Sequence, residues 1–254
     1  MRIDFHSHIL PQMDDGSKST DESIALLQML VKANVDTVVL TPHFYRNDEN
    51  IASFLKRRSA SYDKLVQVID DTSERHFFPQ LVLGAEVLFT PSLSSDPDFE
   101  QLCIEGTDYI LLELPFQKFH DNFYSDFVKF LNKCNKKIIL AHIERYLHFG
   151  NTVNDLYRII EAGDITCQMN CSSIAKAGFF ERNKLFNMIN DGIISALGTD
   201  THNISSRPPM YGKAEEIIRK KCGEKAFARI CDLSEQMLMT ANKSFNVLYP
   251  ISFL

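Results

Sequence analysis

Short apolar runs rich in β-branched residues alternate with longer amphipathic ones along the chain, and that alternation restricts the fold more than any other feature. Residues 2–5, 37–40, 81–83, 109–112, 137–140, 165–168 and 193–196 read as strands, most of them bounded by Gly, Asp, Asn or Pro. The segments between them have helical spacing. Ser19 with Glu22 forms a capping-box signature ahead of Ile24, Leu27, Leu30 and Val31, and 54–69, 123–131, 153–160, 184–189 and 214–218 carry similar stripes. Two further helical runs, 225–231 and 234–240, close the pattern. Strands joined by crossover helices must pair in parallel. Seven such units with no repeat, low-complexity stretch or Pro/Gly/Ser-rich linker predict one α/β domain over 1–254, closed as a barrel. At 254 residues a single domain buries roughly 70–75% of its unfolded surface and needs no disulfide staples.

The residues at and just past the strand ends locate the chemistry. His6 and His8 come after the first strand, His43 after the second and Glu86 after the third; Glu113 ends the fourth and His142 the fifth, and Asp200 and His202 come after the seventh. Asp15 lies on the loop after the first strand, and Asn170 succeeds the sixth without a strong ligand, placed to position water or substrate. A lone His or Glu at a strand end is most often a cap or an ion-pair partner. In barrel enzymes, however, the C-terminal strand ends build the active site, and scattered core residues would show no such preference. His6 and His8 are two residues apart, so on an extended strand both leave the same face; Asp200 and His202 repeat the spacing. His76, His120 and His148 lack such placement and read as surface residues or outer supports.

The predicted set is five imidazoles (His6, His8, His43, His142, His202) and four carboxylates (Asp15, Glu86, Glu113, Asp200). Nitrogen and oxygen donors without thiolate suit Mn, Zn or Fe(II) and disfavour soft copper or all-oxygen calcium sites. Nine ligands exceed the needs of one ion. Three divalent ions would overbalance the four carboxylates, so the site would still attract a phosphate dianion, with Arg145 and Arg207 placed to add bidentate contacts.

Other classes are excluded. The net charge of −6 and the short basic runs argue against a nucleic-acid surface. No apolar run approaches the ~20 residues of a membrane span, and the acid and imidazole near Met1 are unlike a signal peptide, so the expectation is a cytoplasmic protein with no membrane insertion. The six cysteines form no CxxC pair, as expected of thiols in a reducing compartment. Cysteine-dependent phosphatases need Arg six positions after the nucleophile; here those positions hold Tyr109, Leu140, Ser173, Ala177, Ala228 and Met237. No GxxxxGK loop is present either.

His6-Ser7-His8, Asp14-Asp15-Gly16, Thr41-Pro42-His43, Gly84-Ala85-Glu86, Ala141-His142-Ile143-Glu144-Arg145-Tyr146 and Asp200-Thr201-His202-Asn203 together resemble the PHP (polymerase and histidinol phosphatase) superfamily. Within it the chain is similar to the bacterial manganese-dependent protein-tyrosine phosphatases of capsular and exopolysaccharide gene clusters. The resemblance spans nearly the whole chain and implies a distorted, TIM-like (β/α)₇ barrel of the PHP type with three metal ions, manganese first among them. It implies one ion on His6, His8, Glu86 and Asp200, a second on Glu86, Glu113 and His142, and a third on Asp15, His43 and His202. Arg145 and Arg207 match phosphate-contacting arginines, with Asp200 both ligand and proton acceptor. Ile143 stands where proline is common, and the 114–120 segment matches less clearly.

The implied reaction is direct hydrolysis of a phosphomonoester without a covalent intermediate, on the phosphotyrosine tail of a bacterial tyrosine kinase, with Phe44 and Tyr45 as candidates to flank the tyrosyl ring. Two other readings share these residues: a small-molecule phosphatase acting on histidinol phosphate or a nucleotide, and a catalytically silent, metal-stabilised binding barrel.

Overall fold

A computed structural model describes residues 1–72 and 75–239. In chain order the elements are β1 (Ile3–Ser7), α1 (Thr20–Lys32), β2 (Thr37–Leu40), β3 (His43–Phe44), α2 (Ile51–Asp70), β4 (Gln80–Leu83), β5 (Glu86–Leu88) and β6 (Tyr109–Glu113). There follow α3 (Asp121–Lys133), β7 (Lys137–Leu140), α4 (Val153–Ile160), β8 (Ile165–Asn170), α5 (Cys171–Lys176), α6 (Phe179–Asn190), β9 (Ile194–Gly198), α7 (Tyr211–Cys222) and α8 (Glu224–Met239).

All seven expected strands form, and every recorded pairing is parallel. The two additional short strands are continuations. Thr41-Pro42 interrupts the second strand, because proline has no N–H to give the ladder, and Gly84-Ala85 interrupts the third at the same level. Tracing the pairs closes a ring: β9 pairs β1, β1 pairs β2, β2 pairs β4, the continuation β5 pairs β6, and β6 to β9 follow in order. The result is a seven-strand barrel, distorted where residues 104 and 105, not β4 itself, bridge to the base of β6 through Glu105 N–H to Leu83 O and Ile104 N–H to Tyr109 O.

Alternation along the strands separates two apolar layers. Val38, Leu40, Ile110, Leu112, Ile138 and Leu140 pack outward among Leu26, Leu30, Phe127 and Phe130 of the helices. Ile3, Phe5, Val39, Val82, Leu111, Ile139 and Ala196 fill the barrel, joined by Met237 and Leu238 of α8. Thr166, near the start of β8, meets Met237, so α8 closes the end opposite the strand C-termini. The sequence pattern splits this helix into two runs; in the structure Asp232 and Leu233 carry it through as one, and Thr240 lies outside the described residues.

Helix starts follow their caps. Ser19 Oγ accepts from Glu22 N–H, although Glu22 returns its carboxylate to Lys18 N–H and not to Ser19. Thr152 and Asp155 complete the reciprocal box on α4.

Phe5 faces inward, so strict alternation would turn His6 and His8 outward. The β1–β2 register slips by one residue between Asp4 and Ser7, and this reverses the phase. Gly198 makes room on the neighbouring strand: a Cβ there would lie 2.5 Å from His6 Cβ and 2.6 Å from Gln168 Nε2. We expect Gly198→Ala to cost about 1–3 kcal/mol by overpacking, read as a lower urea midpoint at unchanged m-value; an unshifted midpoint would show that the strands can move apart here.

Candidate functional site

All nine predicted ligands converge at the C-terminal rim. His6, His8, Glu86, Glu113, His142, Asp200 and His202 are buried; His43 is partly covered, and Asp15 stands exposed over the opening. The paired strand breaks bring His43 and Glu86 to the same register position on adjacent strands. Glu86 is the hub: Oε1 lies 2.8 Å from His142 Nε2, and Oε2 lies 3.1, 3.2 and 2.9 Å from His6 Nε2, His8 Nε2 and His43 Nδ1. His142 Nε2 also faces Glu113 at 3.3 Å. The backbone is left-handed at His142 (φ 33°) and Asp200 (φ 51°), the kind of strained geometry, about 1–3 kcal/mol each, that clusters at functional sites.

The histidines' outer nitrogens settle what their inner ones present. The backbone N–H of His142 donates to Gln168 Oε1 at 2.8 Å, which fixes that oxygen as an acceptor. His6 Nδ1, 3.1 Å from the same oxygen, must therefore carry its proton there. His8 Nδ1 donates to Asp14 Oδ2 at 2.7 Å and His202 Nδ1 to the Asp200 carbonyl at 3.0 Å. Once these rings are neutral, each inward Nε2 presents a lone pair, the arrangement by which proteins aim histidines at metals. Yet His6 Nε2 and His8 Nε2 stand 3.1 Å apart, and His202 Nε2 stands 3.1 Å from Asp15 Oδ1. His43 Nδ1, Glu86 Oε2 and His202 Nε2 are buried without a hydrogen-bond partner; the 2.9 Å approach of the first two lacks hydrogen-bonding geometry.

Acceptors crowded in this way need positive charge between them. Protons supply some: burial pushes His142 down, but hydrogen bonds and charge from Glu113 and Glu86 outweigh it and leave it at about 9. At His202 they do not, because burial and the neighbouring His8 push it down to about 4. A divalent cation would supply the missing positive charge. The ligand atoms fall into three overlapping groups: His6, His8, Glu86; His8, Asp15, His43, His202; and His43, Glu86, Glu113. They overlap the partition implied by the resemblance without coinciding with it: His8 sits also among the outer three residues, His43 takes the place expected of His142 beside Glu86 and Glu113, and Asp200 and His142 fall in none of the three groups.

Arg145 and Arg207 meet at Asp200. Arg145 Nη1 reaches Oδ2 at 3.3 Å and Arg207 Nη2 reaches Oδ1 at 2.8 Å, with Asn170 Nδ2 donating to Oδ2 at 2.9 Å. Burial pushes the Asp200 carboxyl up, but the charges of His6, His8 and Arg207 prevail and hold it well below the usual carboxylate range. Asn203 shapes the loop that presents Arg207, its Oδ1 accepting from the N–H groups of Ser205, Ser206 and Arg207.

Several supports are invisible to a reading of strand ends. Asp14 holds His8 and also accepts from the N–H groups of His43 and Gly16; Gly16 is required because a Cβ there would collide with His8 O. Gln168 holds His6, and Asp4 is buried and receives the Thr199 hydroxyl and N–H. Asp14 carries a local signal, the acid two before a glycine, whereas Gln168 has none. Of the two aromatics after His43, Phe44 is buried against Phe54, and Tyr45 stacks on His43 at 5.1 Å. His76, His120 and His148 are on the surface as expected.

With this geometry established, comparison with known proteins gives a consistent result. The family described as capsular polysaccharide synthesis, CpsB/CapC, matches residues 2–239. The tyrosine-protein phosphatase CpsB of Streptococcus pneumoniae is 30% identical over 236 residues, covering 88% of this chain and 92% of that protein. The tyrosine-protein phosphatase YwqE of Bacillus subtilis is 26% identical over 245 residues, covering 93% and 91%. A crystal structure from work on YwqE of Bacillus subtilis and CpsB of Streptococcus pneumoniae, described as unique metal-dependent tyrosine phosphatases, shares the fold with a TM-score of 0.79 at 22% identity over 96% of each chain.

Two outcomes are expected. Asp14→Asn should weaken divalent-cation affinity about 10–100-fold, read by calorimetry, with the thermal midpoint of the stripped protein little changed. In stripped protein His142 carries a proton at neutral pH that a cation must expel, so affinity should rise from pH 7 to pH 9 by up to about tenfold per unit, with proton release into buffer. A flat profile would mean that His142 takes no part in binding.

Proposed function

The chain belongs to the CpsB/CapC capsular polysaccharide synthesis family, and from that premise we propose that it is a metal-dependent protein-tyrosine phosphatase, a single-domain hydrolase of phosphomonoesters. The observation that carries the reading is the set of converging acceptors at the rim, flanked by two arginines on Asp200. His6, His8, Asp15, His43, Glu86, Glu113 and His202 would hold the ions, joined by His142 beside Glu86 and Asp200 beside His6 and His8, three ions by our assignment and manganese by preference, with zinc or iron compatible with the same donors. Such ions, when bound, would supply Lewis-acid polarisation of a phosphoryl oxygen and a water whose pKa is lowered to about 7.

The chain's own groups do the rest. Arg145 and Arg207 approach Asp200 through different oxygens, so a phosphate beside that carboxylate meets two guanidinium groups whose planar N–H forks can each donate to a pair of its oxygens. Gln168, Asp14 and the Asp200 carbonyl keep the Nδ1 protons of His6, His8 and His202 pointed away from the substrate. The charges of His6, His8 and Arg207 hold Asp200 as a carboxylate, the form that can ligate, orient the arginines and accept a proton. The departing tyrosyl oxygen has an ordinary pKa near 10 and leaves readily for a phosphoester.

The substrate within this reading is the phosphotyrosine tail of a bacterial tyrosine kinase in capsule or exopolysaccharide assembly, supported by the relatives' tyrosine-phosphatase names and the family's capsule context. A cytoplasmic location agrees with that substrate. Among the described residues no helix is long and apolar enough to cross a membrane.

Turnover on a phosphotyrosine peptide should exceed that on histidinol phosphate. His6→Ala and Asp200→Ala should abolish both, and Arg207→Ala should keep its metal while weakening phosphate binding by about 10- to 100-fold, the worth of a hydrogen bond to a charged group. Steady-state kinetics with metal analysis reads all three; His6→Ala at wild-type turnover and full metal content would overturn the assignment.

A further inference from the structure

The segment whose resemblance is weakest is firmly built in the structure. After Glu113 the chain runs Leu114-Pro115-Phe116-Gln117-Lys118-Phe119, and Gln117 N–H donates to Pro115 O at 2.8 Å, closing a γ-turn with Phe116 at its apex. Hydrogen bonds fasten this strip to the 3-10 turn Ile143–Phe149. Leu114 N–H donates to Tyr146 Oη at 2.8 Å, and Phe119 N–H donates to Asn151 Oδ1 at 2.8 Å. Asn151 Nδ2 in turn donates to Gln117 O at 3.0 Å and Tyr146 O at 2.9 Å. Phe116 is thus held from both sides, yet it remains 40% exposed.

Its surroundings give that exposure a use. The Phe116 ring stacks on Phe149, itself 41% exposed, at 5.0 Å and 22°, and lies 5.5 Å from the His142 ring. The Arg145 guanidinium carbon is 5.5 Å from the centre of the same ring, while its Nη1 reaches Asp200. One arginine therefore links the aromatic pair to the proposed phosphate site. Tyr45, the other aromatic at the rim, is already stacked on the ligand His43 at 5.1 Å, and no arginine among the described residues lies over its ring.

We propose that Phe116, backed by Phe149, is the specificity-determining residue that receives the ring of an aryl phosphate whose phosphoryl group lies at Arg145. The inference rests on the phosphatase reading of the metal centre. In an aryl phosphate the ester oxygen is bonded directly to the ring, so ring and phosphorus form one short, stiff unit. A phosphoryl group at Arg145 sets that ring against the flat surface adjoining the arginine, which is Phe116. The phosphate of a serine or threonine ends in an aliphatic carbon and leaves the aromatic pair in water. Selection of phosphotyrosine then comes from an apolar face beside the charge, not from depth of the pocket.

The test uses metal-loaded wild type, Phe116→Leu, Phe116→Trp and, for the competing aromatic, Tyr45→Leu. Three quantities are measured: KM for phenyl phosphate, KM for a phosphotyrosine peptide, and the inhibition constant of inorganic phosphate, which reads the charged site alone. Phe116→Leu should raise both aryl KM values by roughly tenfold, the worth of an aromatic contact, while the phosphate constant and metal content stay at wild-type values. Phe116→Trp should restore the aryl KM. An unchanged ratio of aryl KM to phosphate constant in Phe116→Leu, or the loss appearing in Tyr45→Leu instead, overturns this proposal alone. A wild type that turns over no aryl phosphate overturns the phosphatase reading and this proposal with it.

Discussion

Two imidazole nitrogens, His6 Nε2 and His8 Nε2, face each other at 3.1 Å with the proton of each ring committed elsewhere. With both rings neutral such a pair is repulsive unless a cation lies between, and Glu86 Oε2 and Asp200 Oδ1 close in on the same point from two further sides. Much of the surrounding structure holds these acceptors in place. Gln168 is locked by a backbone N–H, Asp14 by two, and Asp4 by the Thr199 hydroxyl and amide. A polar network of this kind in a low-dielectric interior is favourable only when every member is satisfied, which makes cation binding and the integrity of the rim interdependent.

The barrel delivers those groups through its irregularities. A regular strand would carry Phe5 and His6 to opposite faces; one slipped residue in β1 lets an apolar plug and a pair of ligands share the interior at successive levels. Pro42 and Gly84 break neighbouring strands at matching heights, and the resumed ladder sets His43 against Glu86. The opposite end is closed by apolar residues of α8, so inner packing supports stability below while the rim is given over to charge.

Charge and apolar surface divide the mouth between them. Acidic groups gather around Tyr45 and Asp15, whereas Arg145 stands between Asp200 and the Phe116–Phe149 pair. This asymmetry gives an incoming phosphomonoester a preferred orientation before any specific contact with a polypeptide is made, since the guanidinium of Arg145 adjoins the aromatic pair on one side of the mouth only.

Much of this was determined by the sequence alone. Alternating apolar periods specify parallel strands and crossover helices because backbone geometry is local, and a chelating pair spaced by two residues is local as well; so are the capping residues of α1 and the absence of arginine six places after any cysteine. Tertiary structure alone decided the rest. Nothing near Gln168 in the chain marks it as the partner of His6, 162 residues away, and no periodicity sends Phe44 into the core while Phe116 is left in water. The grouping of ligands likewise depends on strand register and on a one-residue slip, which arise when distant segments pack together and which no local pattern encodes.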